Sequence, residues 1–199
     1  MSPADPAGAD RATEPAEPTD TSLADDLAAY VASDAAREAA AGTNARELDR
    51  ALVPLLWLLG SWRGDGVASG ALAGGGADLA VTLEASFSHD GGPHLRYGGR
   101  VLVGERVLAT ETGFWRVTPT GVEVVLAHPT GIVEVYVGTR ESSRVELATD
   151  VVARSATAPA DTAARRLYGL VEGRLLFAVD VATDGQPLAS RMSGALDKV

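Results

Sequence analysis

The three histidines are the side chains of this sequence best suited to acid–base chemistry or metal ligation. His89 follows a strand-like run, His94 follows a Gly-Gly-Pro turn and His128 precedes a proline, so all three are predicted at strand ends. None has the helical i,i+4 partner typical of metal sites, and the spacing assembles no Ser-His-Asp triad. Each histidine is therefore a candidate ligand of a binding pocket, with a half-exposed structural role as the alternative.

The acidic residues and the missing thiols restrict the chemistry further. The chain has no cysteine, which excludes disulfides, thiolate metal sites and cysteine nucleophiles. Acidic residues in the strand-like runs alternate with apolar ones, and we predict that four of them face solvent: Glu84, Glu111, Glu123 and Glu134. Phe87 and Trp115 are assigned to the core.

The most distinctive motif is G-x-W-x-G-x-G at Gly60, Trp62, Gly64 and Gly66. A phosphate-binding loop would need G-x-G-x-x-G between a strand and a helix, whereas these glycines continue into strand-like sequence. Glycines permit sharp bends and close strand approach, and the Trp62 ring is large enough to plug a barrel floor. The motif therefore predicts the beginning of a closed antiparallel β-barrel.

The sequence around these residues consists mostly of predicted strands. From Trp62 onward apolar residues recur at every second position, as in Val133, Val135 and Val137. Turn signals such as Pro119-Thr120-Gly121 separate about ten such runs. Closing the sheet removes its edges and leaves room for a ligand inside. The predicted fold class is all-β, a ten-stranded antiparallel barrel with short N-terminal helices.

The N-terminal quarter of the chain differs from the rest. Residues 1–20 are rich in proline, alanine and acidic residues and are predicted to form a disordered acidic tail. Residues 21–43 are predicted to form a helix and a linker. The barrel domain is predicted over residues 44–199, and it opens with a helical segment that begins near Asn44 and is interrupted at Pro54.

The net charge of −10 is unevenly distributed. Residues 1–50 carry eleven acidic and four basic residues, a net charge of −7, which leaves −3 for residues 51–199. Residues 51–199 are nearly neutral and follow an acidic segment, and this charge distribution disfavours nucleic-acid binding. No apolar stretch approaches the roughly 20 residues of a membrane helix. We therefore expect a cytoplasmic protein without nucleic-acid or membrane partners.

Further motifs follow the glycine motif in a fixed order. They are Phe87-x-His89 with Gly92-Pro93 and Tyr97, Glu111-x-Gly113-Phe114-Trp115-Arg116, Pro129-Thr130-Gly131, Arg166-Leu167-Tyr168 and Gly185-Gln186-Pro187-Leu188. Together these motifs resemble the nitrobindin family, haem-binding barrels shaped like fatty-acid-binding proteins and lipocalins. The resemblance covers roughly residues 50–198. It implies haem b as the family's cofactor and peroxynitrite isomerisation as the family's activity.

Arg191 stands where the resemblance implies the histidine that binds the haem iron. A guanidinium has five donors and no lone pair, so it cannot coordinate iron. We therefore expect a barrel that binds no cofactor and is not an enzyme, with a cavity for a small apolar or anionic ligand. On this interpretation Arg191 pairs with the ligand or with a carboxylate such as Asp180. His89 and His128 are further candidate ligand-binding residues.

Two other functions stay open on the sequence alone. The first is a haem-containing barrel that acts on peroxynitrite or nitric oxide, with the iron held by His89 or His128. The second is an interaction protein in which residues 22–41 recruit a partner and the barrel is a scaffold. The oligomeric state, monomer or homodimer, also stays open.

Overall fold

The computed structural model of this protein describes residues 48–199. The predicted acidic tail, residues 1–20, and the predicted helix and linker, residues 21–43, lie outside the described residues and stay predictions. The same holds for the domain boundary at residue 44. Within the described range, no helix has the length and apolarity that crossing a membrane requires.

Ten antiparallel strands form one closed barrel, which confirms the predicted fold class. Strands that follow one another in the chain pair with each other, and β1 pairs with β10 to close the sheet. The strands are β1 Gly60–Ala68, β2 Leu79–Ser88, β3 Leu95–Val103, β4 Arg106–Thr118, β5 Gly121–His128, β6 Ile132–Glu141, β7 Arg144–Arg154, β8 Asp161–Val171, β9 Arg174–Thr183 and β10 Ala189–Lys198. Closure gives every strand a neighbour on both sides, and the β7–β8 pairing is the shortest, since it joins only residues 144–148 to residues 165–169.

A 3₁₀ helix, Arg50–Leu58, packs against the barrel end where β1 begins. Asp49 caps it by accepting a hydrogen bond of 2.8 Å from the amide of Ala51. The leucines on its inner side are fully buried, and the Trp62 indole N–H donates to the Leu58 carbonyl oxygen over 2.7 Å. Pro54 lies inside the helix and does not end it. A proline removes one amide donor and disfavours an α-helix, which agrees with the tighter 3₁₀ turns.

Glycines of the G-x-W-x-G-x-G motif lie where neighbouring strands approach closely. A Cβ atom at Gly64 would collide with the backbone carbonyl oxygen of Ala195 in β10. A Cβ atom at Gly66 would lie 2.5 Å from the carbonyl oxygen of Ser193. Side chains at these positions would force β1 away from β10, so the motif sets the spacing at which the barrel closes.

The two-residue period of the strands holds, but its phase in β6 is the reverse of the predicted one. Glu134 and Tyr136 are buried, whereas Val133 and Val137 are exposed. Alternation shows which residues share a face of the sheet without showing which face is inside. The prediction that Glu134 faces solvent is therefore wrong.

Candidate functional site

The barrel contains a cavity of about 370 Å³ toward the end that carries the turns after β3, β5 and β7. A second 3₁₀ helix, Gly70–Ala73, contributes Ala71 and Leu72 to its wall. Aliphatic side chains form much of the rest of the wall, among them Leu83, Val101, Ile132, Val179 and Val181. The volume lies within the range of about 300–1,000 Å³ that is typical of ligand pockets.

A buried ion pair between Glu111 and Arg166 forms part of the cavity wall. The Nη1 and Nη2 atoms of Arg166 each donate a 2.7 Å hydrogen bond, one to each carboxylate oxygen of Glu111. The Tyr97 hydroxyl also donates to Glu111 Oε1, over 2.6 Å. The two parallel bonds make this a bidentate, charge-assisted contact, which is among the stronger polar contacts in proteins.

A second buried carboxylate, Glu134, shares the same guanidinium. Its Oε2 atom lies 3.4 Å from Arg166 Nη2 and accepts a 2.8 Å hydrogen bond from the Tyr136 hydroxyl. The His128 Nε2 atom lies 3.0 Å from the same oxygen, and His128 Nδ1 lies 3.8 Å from Glu111 Oε2. We call Glu111, Glu134, Arg166 and His128 the charged cluster. All four residues line the cavity.

The charged cluster keeps its carboxylates ionised in spite of their burial. Burial alone would raise the pKa of Glu111, but the adjacent Arg166 guanidinium and the nearby His128 hold it down at about 2. Burial likewise opposes ionisation of Glu134, and hydrogen bonds from His128 and Tyr136 together with Arg166 keep its pKa below the usual value. Burial and the Glu111 charge raise the pKa of the Tyr97 hydroxyl well above its usual value, so this hydroxyl stays a donor.

The charged cluster was not predicted from the sequence, because Glu111 was expected on the solvent face. That prediction is wrong, since the Glu111 side chain is only 9% exposed. A signal was present in the spacing, because each charged residue lies an even number of positions before an aromatic residue of the same strand. The pairs are Glu111 and Trp115, Glu134 and Tyr136, and Arg166 and Tyr168. Each of these aromatic residues is fully buried, so residues two or four positions away point inward as well. Glu84 and Glu123, by contrast, form ion pairs with exposed arginine side chains.

Arg191 lines the cavity, as its candidate role requires, but its carboxylate partner is not the predicted Asp180. Its Nη2 atom lies 3.2 Å from Asp161 Oδ1 and 3.4 Å from the Thr183 hydroxyl oxygen. Asp180 pairs in register with Ser190, and a bulge between Ser190 and Met192 shifts the following residues. The Arg191 side chain thus meets Asp161 at the start of β8 rather than Asp180.

The three histidines lie in different places. Only His128 lines the cavity. His89 does not, and its Nδ1 atom is buried without a hydrogen-bond partner. His94 lies 3.7 Å from an Asp90 carboxylate oxygen and packs its ring edge against Phe114. The described residues therefore bring His128 and Arg191 to one cavity and leave His89 outside it.

Comparisons with known proteins point to one family. The family model described as "THAP4-like, heme-binding beta-barrel domain" matches residues 51–198. A ferric nitrobindin-like protein from Kineococcus radiotolerans is 44% identical over an alignment that covers 74% of this chain and 93% of that protein. A peroxynitrite isomerase from Clavibacter michiganensis is 41% identical, with 74% and 94% of the two chains covered. The crystal structure of Rv2717c from M. tuberculosis superposes with a TM-score of 0.68 at 32% identity and covers 77% of this chain and 99% of its own.

These matches overturn the expectation that no cofactor belongs to this domain, because the matching model describes a heme-binding barrel. The cavity fits part of a haem. Its apolar wall suits the macrocycle, and the Arg191 guanidinium suits a carboxylate side chain. For the iron, the lining offers His128 and Met192, which are residue types that ligate haem, whereas Arg191 has no lone pair to give. Both His128 nitrogens already lie near carboxylate oxygens.

Proposed function

Because the chain belongs to the nitrobindin family of THAP4-like heme-binding β-barrel domains, we propose that its cavity binds an apolar molecule that carries a carboxylate. The observation that carries this proposal is the position of Arg191 in a wall that also contains many aliphatic side chains and, separately, the charged cluster. Haem, a flat macrocycle with two carboxylate side chains, is one member of this ligand class, and a fatty acid is another.

Arg191, rather than Arg166, is the guanidinium available to such a ligand. Arg166 donates to Glu111, Glu134, Tyr136 and Tyr168, so the protein's own groups occupy it. In the part of the chain that the structure describes, Arg191 makes its side-chain contacts through Nη2 alone. Its Nε and Nη1 donors are left for a ligand carboxylate, and Asp161 holds the side chain in place.

The first experiment measures binding of dodecanoic acid and of ferric haem to the purified full-length protein, by calorimetry and by absorption. Arg191→Gln removes the charge and is expected to weaken dodecanoic acid binding by about tenfold to a hundredfold, since a hydrogen bond to a charged group contributes about 1.5–3 kcal/mol. Arg174→Gln is the matched control, because Arg174 pairs with Asp197 and both side chains are largely exposed. Equal affinities in wild type and Arg191→Gln would contradict the proposal.

A second candidate function is the isomerisation of peroxynitrite, which the names of relatives at 41% and 42% identity favour. A bound haem would supply the iron centre at which peroxynitrite reacts. The residues of this chain would hold the haem carboxylates through Arg191 and offer Met192 or His128 to the iron. His89, named for this role from the sequence, lies outside the cavity lining.

The second candidate is tested on the ferric-haem complex. If Met192 ligates the iron, Met192→Leu changes the position of the Soret band, whereas His128→Gln changes it if the imidazole is the ligand. An active complex makes peroxynitrite decay faster than the same concentration of free haem does. A decay rate equal to that of free haem would contradict this function and leave the carboxylate-binding proposal intact.

A further inference from the structure

The Glu134 carboxylate uses only one of its two oxygens within the charged cluster. The hydrogen bonds from Tyr136 and Arg166 and the contact with His128 all end on Oε2. No hydrogen bond or ion pair joins Oε1 to any residue in the described part of the chain, 48–199. One acceptor of an ionised carboxylate is thus without a protein donor.

This oxygen belongs to a side chain that is buried and lines the cavity. Glu134 is 4% exposed, and its neighbours in the lining include Ile132 and His128. Oε1 is not one of the fully buried polar atoms that lack a partner in the described residues, so it is accessible from the cavity. Its donor is therefore a molecule that occupies the cavity, either water or a ligand group that displaces the water.

The charge balance of the charged cluster decides which kind of donor fits. Two carboxylates share one guanidinium, and the His128 imidazole lies 3.0 Å from one carboxylate and 3.8 Å from the other. Arg166 already lies 3.4 Å from the Glu134 carboxylate, so an ammonium group at Oε1 would bring a second cation close to the guanidinium. A neutral hydroxyl can donate to Oε1 without that repulsion.

We propose that Glu134 Oε1 is a recognition site for a hydroxyl group of the ligand, so that the cavity prefers a hydroxylated apolar carboxylate over the plain one. This inference rests on the proposed function: Arg191 binds the carboxylate, Glu134 accepts from the hydroxyl, and aliphatic side chains contact the chain between them. The carboxylate of the ligand cannot take the place of its hydroxyl, because it would meet the Glu134 and Glu111 charges.

The test compares dodecanoic acid with a series of hydroxydodecanoic acids in which the hydroxyl is moved along the chain, all titrated calorimetrically into the full-length protein. At the best position the hydroxy acid is expected to bind about tenfold more tightly, which corresponds to about 1.4 kcal/mol. In Glu134→Gln this preference is expected to fall below about threefold, because a neutral amide oxygen is a weaker acceptor than a carboxylate.

Tyr136→Phe is the matched control. It removes a donor to Oε2 of the same carboxylate and leaves Oε1 unchanged, so it retains the preference even if it lowers stability. If every acid binds wild type equally, the hydroxyl site is refuted and the carboxylate site stands. If none binds, both proposals are refuted. A 12-aminododecanoic acid that binds more tightly than every hydroxy acid would show that the site takes a cation, which also refutes the inference.

Discussion

Replacing Glu111 by glutamine removes one charge from the charged cluster and keeps the shape of the side chain. Arg166 then keeps only Glu134 as a carboxylate partner, at 3.4 Å rather than 2.7 Å. Removing one partner of a buried ion pair typically costs about 3–5 kcal/mol, because the remaining charge is left poorly compensated. We expect Glu111→Gln to lower the free energy of unfolding at pH 7 by about that amount.

The pKa of Glu111 gives an independent magnitude. A carboxyl whose pKa falls from 4.5 to about 2 on folding stabilises the folded state at neutral pH by about 3 kcal/mol, at about 1.4 kcal/mol per pKa unit. This stabilisation is complete above pH 4.5. As the pH falls toward 2, unfolded Glu111 takes up a proton before folded Glu111 does, and the stabilisation is lost. Between pH 7 and pH 3 the loss is about 2 kcal/mol.

Urea denaturation at pH 7 and at pH 3 measures both quantities. The difference in unfolding free energy between wild type and Glu111→Gln is expected to shrink by about 2 kcal/mol at the lower pH. Glu123→Gln is the control, because its carboxylate pairs with the exposed Arg116 on the outer face and contributes about 0–1 kcal/mol. If Glu111→Gln is as stable as Glu123→Gln, or if the difference does not depend on pH, the charged cluster does not stabilise the barrel in this way.

Three further predictions concern the contact between β1 and β10, the barrel end against which the first 3₁₀ helix packs, and the cavity. Gly64→Ala is expected to cost about 3 kcal/mol or more in a thermal melt, because its Cβ meets backbone, whereas Gly169→Ala, whose nearest neighbouring atom is 3.9 Å away, stays within about 1 kcal/mol. Trp62→Phe loses the indole hydrogen bond to Leu58 and leaves a small void, so we expect about 1–3 kcal/mol lower stability by denaturant titration; an unchanged midpoint would contradict the plug role. Arg191→His is expected to weaken binding of ferric haem without moving the Soret band, because the proposed position of residue 191 is at a haem carboxylate and not at the iron; a band moved to that of a histidine-ligated iron would show that residue 191 faces the iron and would contradict the carboxylate contact.

The barrel itself was predictable from local patterns. A two-residue period repeated over many short runs leaves no room for crossover helices, and the glycines of the motif mark where strands must approach without side chains. The ordered series of motifs also identified the family. These features are properties of neighbouring residues, so reading along the chain is enough to find them.

The charged cluster and the partner of Arg191 depended on the tertiary structure. Arg166 meets Glu111 across 55 residues of sequence and Glu134 across 32 residues, from strands β8, β4 and β6, none of which is adjacent to another in the sheet. Only closure of the barrel brings their inward side chains together. Arg191 meets Asp161 rather than Asp180 because of the bulge in β10. The sequence by itself determined which residues alternate and where strands turn, whereas barrel closure and register decided which buried charges meet, because those contacts join residues that no local pattern relates.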